Sequence, residues 1–401
     1  MNAVLTATCD RGPLSYRAGE AMTFTLRATG AGPGARVKWR LGGDDGRCES
    51  GESGIGDGAA TVVASVLRPG FVRLEADLLD PSGAAVAHFG GGAGADVADI
   101  APDSTEPPDF DAFWRRRKAI LATAGGRADI AEIPSGRPDI ALLEVSIPCP
   151  GGRPATGLLS VPRSGAPFPA LVRLRGYEAS WSPIATQSPA PSELRPDAIV
   201  LYLSAHGFQF NREPAYYTAL RAACGSNGYD FAFDPVQNSN PEESYFSGMA
   251  MRLMRGLEYL KGRPEWNGRD LTAFGGSLGG LQSIWAAALD HDVTECRPRI
   301  PWCCNMAGPG AGRVHGDWFV RWVPALGYYD PVNMARRIPG SCRLEIPQAG
   351  LGDYISPPSG IMAFFNSLRC PKRLTFIQGA MHFTLPEKPW QTQTLQSPDF
   401  C

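Results

Sequence analysis

The sequence has no marked excess of charge of either sign. Its 401 residues carry 38 basic and 40 acidic side chains, which leaves a formal net charge of −2. Proteins that bind nucleic acid or an anionic membrane surface usually present a strong basic excess. We therefore expect neither a nucleic-acid partner nor a membrane partner.

The sequence also lacks the patterns of a membrane span, a repeat array and a structural metal site. No apolar run approaches the roughly 20 residues that cross a bilayer, and we find no internal repeat and no heptad pattern. The ten cysteines include no Cys-x-x-Cys pair, and no histidine stands at ligand spacing. We expect no metal and no organic cofactor.

A Gly-x-Ser-x-Gly motif at residues 275–279 is the most informative feature that is present. An apolar run at 271–274 before it predicts a strand, and residues 281–289 after it predict a helix. Glycine at both ends allows a tight strand-to-helix turn that leaves Ser277 exposed to a base and to substrate. This pattern indicates the nucleophile of a serine hydrolase.

An acid and a histidine follow the serine in chain order. Asp353 comes after a predicted strand at 342–347, and His382 comes after a predicted strand at 373–377. In an open parallel sheet, the catalytic and binding residues lie at the carboxyl ends of the strands. The order serine, acid, histidine is that of the α/β-hydrolases.

Other acids and histidines have weaker claims to these roles. Asp330 precedes the strand that should carry the acid, and its place before Pro331 favours a helix cap. His206 follows a predicted strand at 198–203, where it either lines the pocket or, as is commoner for a lone loop histidine, has a structural role. The three remaining histidines have the weakest claims: His88, His291 and His315.

An ordered set of further motifs extends along the chain. They are the segment 107–114, Arg175-Gly176-Tyr177, the stretch from Tyr245 to Trp266, and residues 328–338, 350–359 and 381–382. Together they resemble the acetyl xylan esterase and cephalosporin-C deacetylase family, which is carbohydrate esterase family seven. The resemblance covers roughly residues 105 to 385, and the ordered set is far more specific than any one motif.

This resemblance implies an α/β-hydrolase fold and a serine esterase. It implies Ser277 as nucleophile, His382 as general base and acid, and Asp353 as the carboxylate that orients His382. The backbone N–H groups of Tyr177 and Leu278 would form the oxyanion hole. The implied substrate is an acetylated carbohydrate, such as xylan or its oligosaccharides, and the family's common hexamer implies a homo-oligomer.

The chain departs from the family pattern at two positions. Leu278 stands where glutamine is expected, and Phe383 stands where glutamate usually follows the histidine. Two other functions therefore stay open. One is an acyl hydrolase for aromatic esters or peptides, and the other is a carbohydrate-binding relative that has lost activity.

The first hundred residues predict a separate β-domain. Apolar and polar side chains alternate at 22–28, 37–41 and 72–78, which is typical of half-buried strands. Short strands separated by glycine and aspartate clusters favour an immunoglobulin-like β-sandwich. The glycine-dense segment 90–95 and the proline-rich segment 99–108 predict a boundary near residue 100. We expect an accessory domain at 1–100, with a packing or oligomerisation role favoured over carbohydrate binding, and a catalytic domain at 101–401.

Strands and helices alternate in the predicted catalytic domain. Strands are predicted at 170–174, 198–203, 271–274, 344–346 and 374–377, and helices at 213–224, 244–261 and 280–289. This alternation predicts a mostly parallel sheet with helices on both faces. Six aromatic side chains either line the substrate site or pack in the core: Tyr177, Trp181, Phe210, Tyr216, Tyr217 and Trp318. We expect only Tyr177 to lie near the chemistry.

The start of the chain shows no leader sequence. We expect either a cytoplasmic protein or one from which a signal peptide has been removed, which would be periplasmic or secreted.

Overall fold

The structure is a computed structural model that describes residues 3–177, 187–387 and 390–400. Trp181, one of the aromatic candidates, lies outside these ranges. Within them, no helix is long and apolar enough to cross a membrane. The nine cysteines of the described ranges are all free thiols.

Two antiparallel sheets pack face to face in the first hundred residues. One has the strand order β1-β2-β5, and the other has the order β4-β3-β6-β7. The strands are β1 (Val4–Cys9), β2 (Met22–Thr29), β3 (Arg36–Gly43), β4 (Cys48–Gly54), β5 (Ala59–Ala64), β6 (Gly70–Leu79) and β7 (Ala85–Ala95).

Alternating side chains of the two sheets form one hydrophobic core. Phe24 and Val62 from the first sheet pack in the same cluster as Val37 and Leu74 from the second. The period-two pattern places these side chains on one face of each sheet, and the polar residues between them face outward. The predicted N-terminal β-sandwich is confirmed.

The glycine run of β7 differs from its sequence-based interpretation. The segment at 90–95, whose glycines helped to predict a domain boundary near residue 100, is a buried strand that pairs along its length with β6. After β7 the chain enters a 3-10 helix at Val97–Asp99, and a loop then leads to α1 (Phe110–Thr123).

One mixed sheet forms the centre of the remaining chain. Its order is β17-β16-β15-β14-β13-β11-β12-β10-β9-β8. The central pairs from β12 to β16 are parallel, while both edges are extended by antiparallel strands. The strands are β8 (Asp129–Ile133), β9 (Ile140–Ile147), β10 (Ala155–Pro162), β11 (Phe168–Leu174), β12 (Ile199–Ser204), β13 (Trp266–Gly276), β14 (Glu295–Arg299), β15 (Arg343–Gly350), β16 (Lys372–Ile377) and β17 (Thr392–Gln396).

Helices cover the sheet, and the three predicted at 213–224, 244–261 and 280–289 are found to within two residues at each end. They are α2 (Pro214–Cys224), α3 (Pro235–Asn238), α4 (Tyr245–Lys261), α5 (Leu278–Leu289), α6 (Pro331–Met334) and α7 (Pro358–Ser367), with 3-10 turns at Pro191–Glu193, Gly308–Ala311, Pro324–Tyr328 and Ala335–Arg337. Every residue of α5 is buried. A helix that is apolar all round needs such burial, and α5 obtains it by packing on β13 and β14.

Candidate active site

Ser277 lies at a sharp turn between β13 and α5. Its backbone has φ 55° and ψ −118°, a strained combination that a non-glycine residue adopts only where the surroundings enforce it. Three hydrogen bonds enforce it here: the Ser277 N–H donates to Arg299 O (3.0 Å), and the Ser277 carbonyl accepts from the N–H groups of Leu281 (3.0 Å) and Trp302 (3.1 Å). The hydroxyl is therefore held at the end of β13, half-exposed.

The flanking glycines allow this turn because the strand and the helix nearly touch there. A Cβ on Gly279 would overlap the carbonyl oxygen of Leu174 on the neighbouring strand β11. A Cβ on Gly275 would be 2.5 Å from that same oxygen. The Gly-x-Ser-x-Gly spacing thus reflects a lack of space on both sides of the serine.

The structure brings together the three side chains that the sequence predicts to be catalytic, those of Ser277, Asp353 and His382. Nε2 of His382 lies 2.9 Å from Oγ of Ser277, and Nδ1 of His382 lies 2.8 Å from Oδ2 of Asp353. Asp353 follows β15 and His382 follows β16, so adjacent parallel strands deliver the acid and the histidine to one edge of the sheet. Such a chain of hydrogen bonds can carry a proton from the serine to the imidazole.

The carboxylate of Asp353 is buried and its second oxygen is fully engaged. Oδ1 accepts the N–H of Ile355 (3.1 Å) and the N–H of Ser356 (2.9 Å). These two donors set the side-chain rotation, so that Oδ2 points at the imidazole. A carboxylate in this position stabilises an imidazolium when one forms.

The alternative acid, Asp330, has a different environment. Its Oδ1 accepts from Val332 N (3.2 Å) at the start of α6 and from Asn305 N (2.9 Å), and its Oδ2 accepts from Met306 N (2.6 Å). Complete burial raises the pKa of Asp330 to about 7, against the opposing pull of these N–H groups. Asp330 is the helix cap that its sequence position suggests, and it ties α6 to the segment that follows β14.

Leu278 and the segment that contains Tyr177, the two expected sources of oxyanion donors, both approach Ser277. Leu278 is the first residue of α5, so its N–H has no partner within the helix. The segment containing Tyr177 approaches from β11: a Cβ on Gly176 would lie 4.0 Å from the Cβ of Ser277. Two main-chain N–H groups near one serine, one of them at a helix N-terminus, can stabilise negative charge on a carbonyl oxygen.

Aromatic rings form a wall next to the serine. Tyr177 stacks on Phe231, with 4.0 Å between ring centroids, and its hydroxyl donates to the Phe231 carbonyl (2.8 Å). Trp318 meets Tyr177 edge to face at 4.6 Å and stacks on Trp302 at 4.8 Å. The backbone N–H of Trp302 also donates to the carbonyl of Ser277. Trp302 was not predicted as a site residue, because nothing in the local sequence pattern relates it to the serine motif.

The other aromatic candidates pack away from this wall. Phe210 is fully buried and lies against Phe208. Tyr217 is buried, and its hydroxyl donates to the carbonyl of Gln209. Tyr216 meets Tyr217 edge to face and accepts the N–H of Gln209 at its hydroxyl.

The remaining histidines have structural surroundings. His206 is buried, and its Nδ1 lies 2.9 Å from the hydroxyl of Tyr245. Burial, together with two nearby arginines, lowers the pKa of His206 well below 6.5. His315 contacts the carbonyl of Gly316 through Nδ1 (2.6 Å), His88 contacts Asp77 (2.7 Å), and His291 is exposed.

The two departures from the family pattern have opposite exposures. Leu278 is completely buried, so its side chain fills space in the core while its N–H remains at the turn. Phe383 is 87% exposed, and its ring meets the His382 ring edge to face at 4.8 Å between centroids. An apolar ring this exposed beside the histidine forms part of the rim of the site.

Comparisons with known proteins find similarity to acetyl esterases. The acetyl xylan esterase family model matches residues 320–395, the segment that carries Asp353 and His382. Acetyl esterase Axe7A of Xylanibacter ruminicola is 24% identical over 355 residues, which is 84% of this chain and 76% of that protein.

Two solved structures share the fold. An acetyl xylan esterase from Paenibacillus sp. R4 has a TM-score of 0.60 and 23% identity, covering 72% of this chain and 94% of its own. Acetyl xylan esterase 1 from Thermoanaerobacterium sp. JW/SL YS485 has a TM-score of 0.59 and 16% identity, covering 73% and 93%. The α/β-hydrolase fold, the resemblance to the acetyl xylan esterases and the esterase class predicted from the sequence are confirmed.

Proposed function

We propose that this protein removes acetyl groups from carbohydrate through an acyl-enzyme formed on Ser277. The observation that carries the proposal is the continuous hydrogen-bonded path from Ser277 Oγ through His382 to Asp353, with contacts of 2.9 and 2.8 Å. The similarity to acetyl esterase Axe7A and to the acetyl xylan esterase family model supports the acetyl group and the carbohydrate class.

The first half of the reaction forms the acyl-enzyme. His382 takes the proton of Ser277 as Oγ bonds to the acetyl carbonyl carbon. The carbonyl oxygen gains negative charge and receives hydrogen bonds from the N–H groups of Tyr177 and Leu278. The ester C–O bond then breaks, and His382 passes its proton to the sugar oxygen that leaves.

The second half returns the free enzyme. Water takes the place of the sugar, and His382 removes a proton from it as the water oxygen attacks the acyl carbon. The Ser277 Oγ–acyl bond breaks, Ser277 recovers its proton from His382, and acetic acid leaves and gives up its proton to solvent as acetate. Asp353 accepts the hydrogen bond from Nδ1 and stabilises the imidazolium in both halves.

A panel of acetylated substrates tests this proposal directly. We expect acetate release from acetylated xylan and xylo-oligosaccharides, and a fall in turnover of about 10⁴-fold or more in Ser277→Ala, because that is the scale on which triad nucleophiles contribute. Binding of xylo-oligosaccharide with no acetate release from any acetylated glycan would contradict it. It would favour a binding protein instead.

We also propose that residues 1–100 and 101–401 are two domains. The existence of two hydrophobic clusters, one within the sandwich and one around the mixed sheet, supports this division. A homo-oligomer remains an expectation from the family resemblance alone. Light scattering of the purified chain tests it.

A further inference from the structure

The N-terminal sandwich contacts the two loops that carry the acid and the histidine. We call residues 350–353 the acid loop and residues 378–382 the base loop. The loops are joined to each other, because Gly352 N donates to Ala380 O (3.0 Å), and the acid loop is also joined to the end of β16, where Leu351 N donates to Ile377 O (3.0 Å). The edge strand of the sandwich, β7, lies across both of them.

Gln378 links the base loop to β7. Its side chain is completely buried, its Oε1 accepts the N–H of Gly92 (3.0 Å), and its Nε2 donates to the carbonyl of Gly92 (2.9 Å). β7 is the outermost strand of its sheet, and an outermost strand presents unpaired N–H and C=O groups. The side-chain amide of Gln378, which lies four residues before His382, thus satisfies both the N–H and the C=O of Gly92.

The glycine run of β7 is what lets the two loops come so close. A Cβ on Gly90 would lie 2.8 Å from Sδ of Met381, the residue next to His382, and a Cβ on Gly91 would overlap Oε1 of Gln378. A Cβ on Gly352, the residue before Asp353, would overlap the carbonyl oxygen of Gly90. Backbone therefore packs on backbone along this contact.

A second contact holds the far side of the acid loop. Tyr354, which follows Asp353, is buried, and its ring lies 4.5 Å from the guanidinium carbon of Arg73 on β6. Arg73 in turn pairs with Glu75 on the same strand. The sandwich therefore touches the residues on both sides of Asp353.

We propose that β7 braces the acid and base loops, so that the sandwich helps to hold Asp353 and His382 in their catalytic positions. In this arrangement Gln378 is a positioning residue, which acts on His382 through the base loop. This inference rests on the proposed function, since it concerns the same site. Gln378 and β7 do not touch Ser277. Their loss should therefore lower kcat for a small ester and leave KM unchanged, because misplacing a catalytic group by about 1 Å costs up to about 100-fold in rate.

The first experiment compares Gln378→Leu with Arg68→Ala in the full-length protein. Arg68 is also a contact between the sandwich and the rest of the chain, but the carbonyl to which it donates, Ala311 O (3.0 Å), belongs to the 3-10 turn at Gly308–Ala311 and to neither loop. The substrate is 4-nitrophenyl acetate, and the assay temperature is well below the unfolding temperature of each variant. We expect kcat of Gln378→Leu to fall about tenfold or more at unchanged KM. We expect kcat of Arg68→Ala to match the wild type.

A double-mutant cycle gives a second, independent readout. Gly90→Ala places a Cβ against Met381, so kcat should fall about tenfold as the base loop is displaced. Combining it with Met381→Ala removes the side chain that the Cβ meets. The double variant should then recover to within about threefold of Met381→Ala alone, which is a non-additive result for residues in contact.

The outcomes separate bracing from mere stabilisation. An unchanged kcat in folded Gln378→Leu, or an equal loss in Arg68→Ala, would overturn the bracing. If Gln378→Leu does not fold, the cycle decides: recovery in the double variant supports the proposal, and simple additivity overturns it. A wild-type protein with no turnover would refute the proposed function and the bracing with it, whereas an active wild type with unaffected variants would refute the bracing alone.

Discussion

Nδ1 of His382 lies 2.8 Å from Oδ2 of Asp353, while the other oxygen of that carboxylate accepts two backbone N–H groups. The histidine and its acid are therefore fixed relative to each other by the fold. The imidazole must carry its proton on Nδ1 and present a basic Nε2 to Ser277, because a carboxylate only accepts hydrogen bonds.

Replacing Asp353 with asparagine should reverse this arrangement. The amide can donate to Nδ1 and so favour the wrong tautomer, and we expect kcat to fall by about 10³- to 10⁴-fold with little change in KM. Steady-state kinetics on a small acetyl ester measures it. The matched control is Asp330→Asn, whose amide nitrogen cannot accept the Met306 N–H that Oδ2 accepts (2.6 Å). It should lower the melting temperature and leave kcat intact. Equal activity losses in the two variants would count against the assignment of Asp353.

The turn around Ser277 should not tolerate a methyl group. Gly279→Ala would drive a Cβ into the carbonyl of Leu174, so we expect lost activity and a lower melting temperature. Gly310→Ala is the control, because a Cβ at that position meets no atom within 4 Å. Thermal unfolding and kcat of both variants test this, and a fully active Gly279→Ala would show that strand and helix can separate.

Much of the site follows from local sequence patterns. Ser277, Asp353 and His382 come one, three and five residues after a strand whose apolar run is short and bounded, so β13, β15 and β16 could be located to within a few residues without coordinates. Parallel strands then bring their carboxyl ends to one edge. The catalytic roles themselves stay predictions, whereas the closeness of the three side chains is observed.

Other features could not be read from the sequence because they depend on distant contacts. The run Gly90-Gly91-Gly92 has the composition of a linker, and only its packing against the acid and base loops explains why it is a buried strand. Gln378 looks like an ordinary loop residue until Gly92, which is 286 residues away, is placed beside it. Five strands of the mixed sheet were also missed: β8, β9, β10, β14 and β17. Of these, the edge strands β8 and β17 carry weak apolar patterns.

His206 should make the fold sensitive to acid. Burial lowers its pKa well below 6.5 in the folded protein, whereas the unfolded chain binds a proton near that value. Below about pH 6.5, unfolding therefore takes up a proton, and the free energy of unfolding falls as pH falls, by up to about 1.4 kcal/mol per pH unit.

The variant His206→Gln tests this dependence. It keeps a hydrogen-bond acceptor for Tyr245 but cannot titrate. Melting temperatures measured between about pH 5 and pH 7 should fall less steeply with acid in His206→Gln than in the wild type. Parallel curves would mean that the pKa of His206 is the same in the folded and the unfolded chain, which would contradict the account.

Phe383 should contribute to substrate binding and not to stability. Its side chain is 87% exposed, so Phe383→Ala should change the free energy of unfolding by less than about 0.5 kcal/mol. Loss of a ring that stacks on a sugar should raise KM for an acetylated xylo-oligosaccharide about 2- to 10-fold, the scale of one aromatic contact. KM for 4-nitrophenyl acetate should not change, and an equal rise for both substrates would contradict a sugar contact.

Covalent trapping tests the central claim most directly. A reactive phosphonate ester should give one adduct by intact mass, and peptide mapping should place it on Ser277. Labelling should be at least about 100-fold slower in His382→Ala, which has lost the base. An adduct on another residue, or equally fast labelling without His382, would contradict the account.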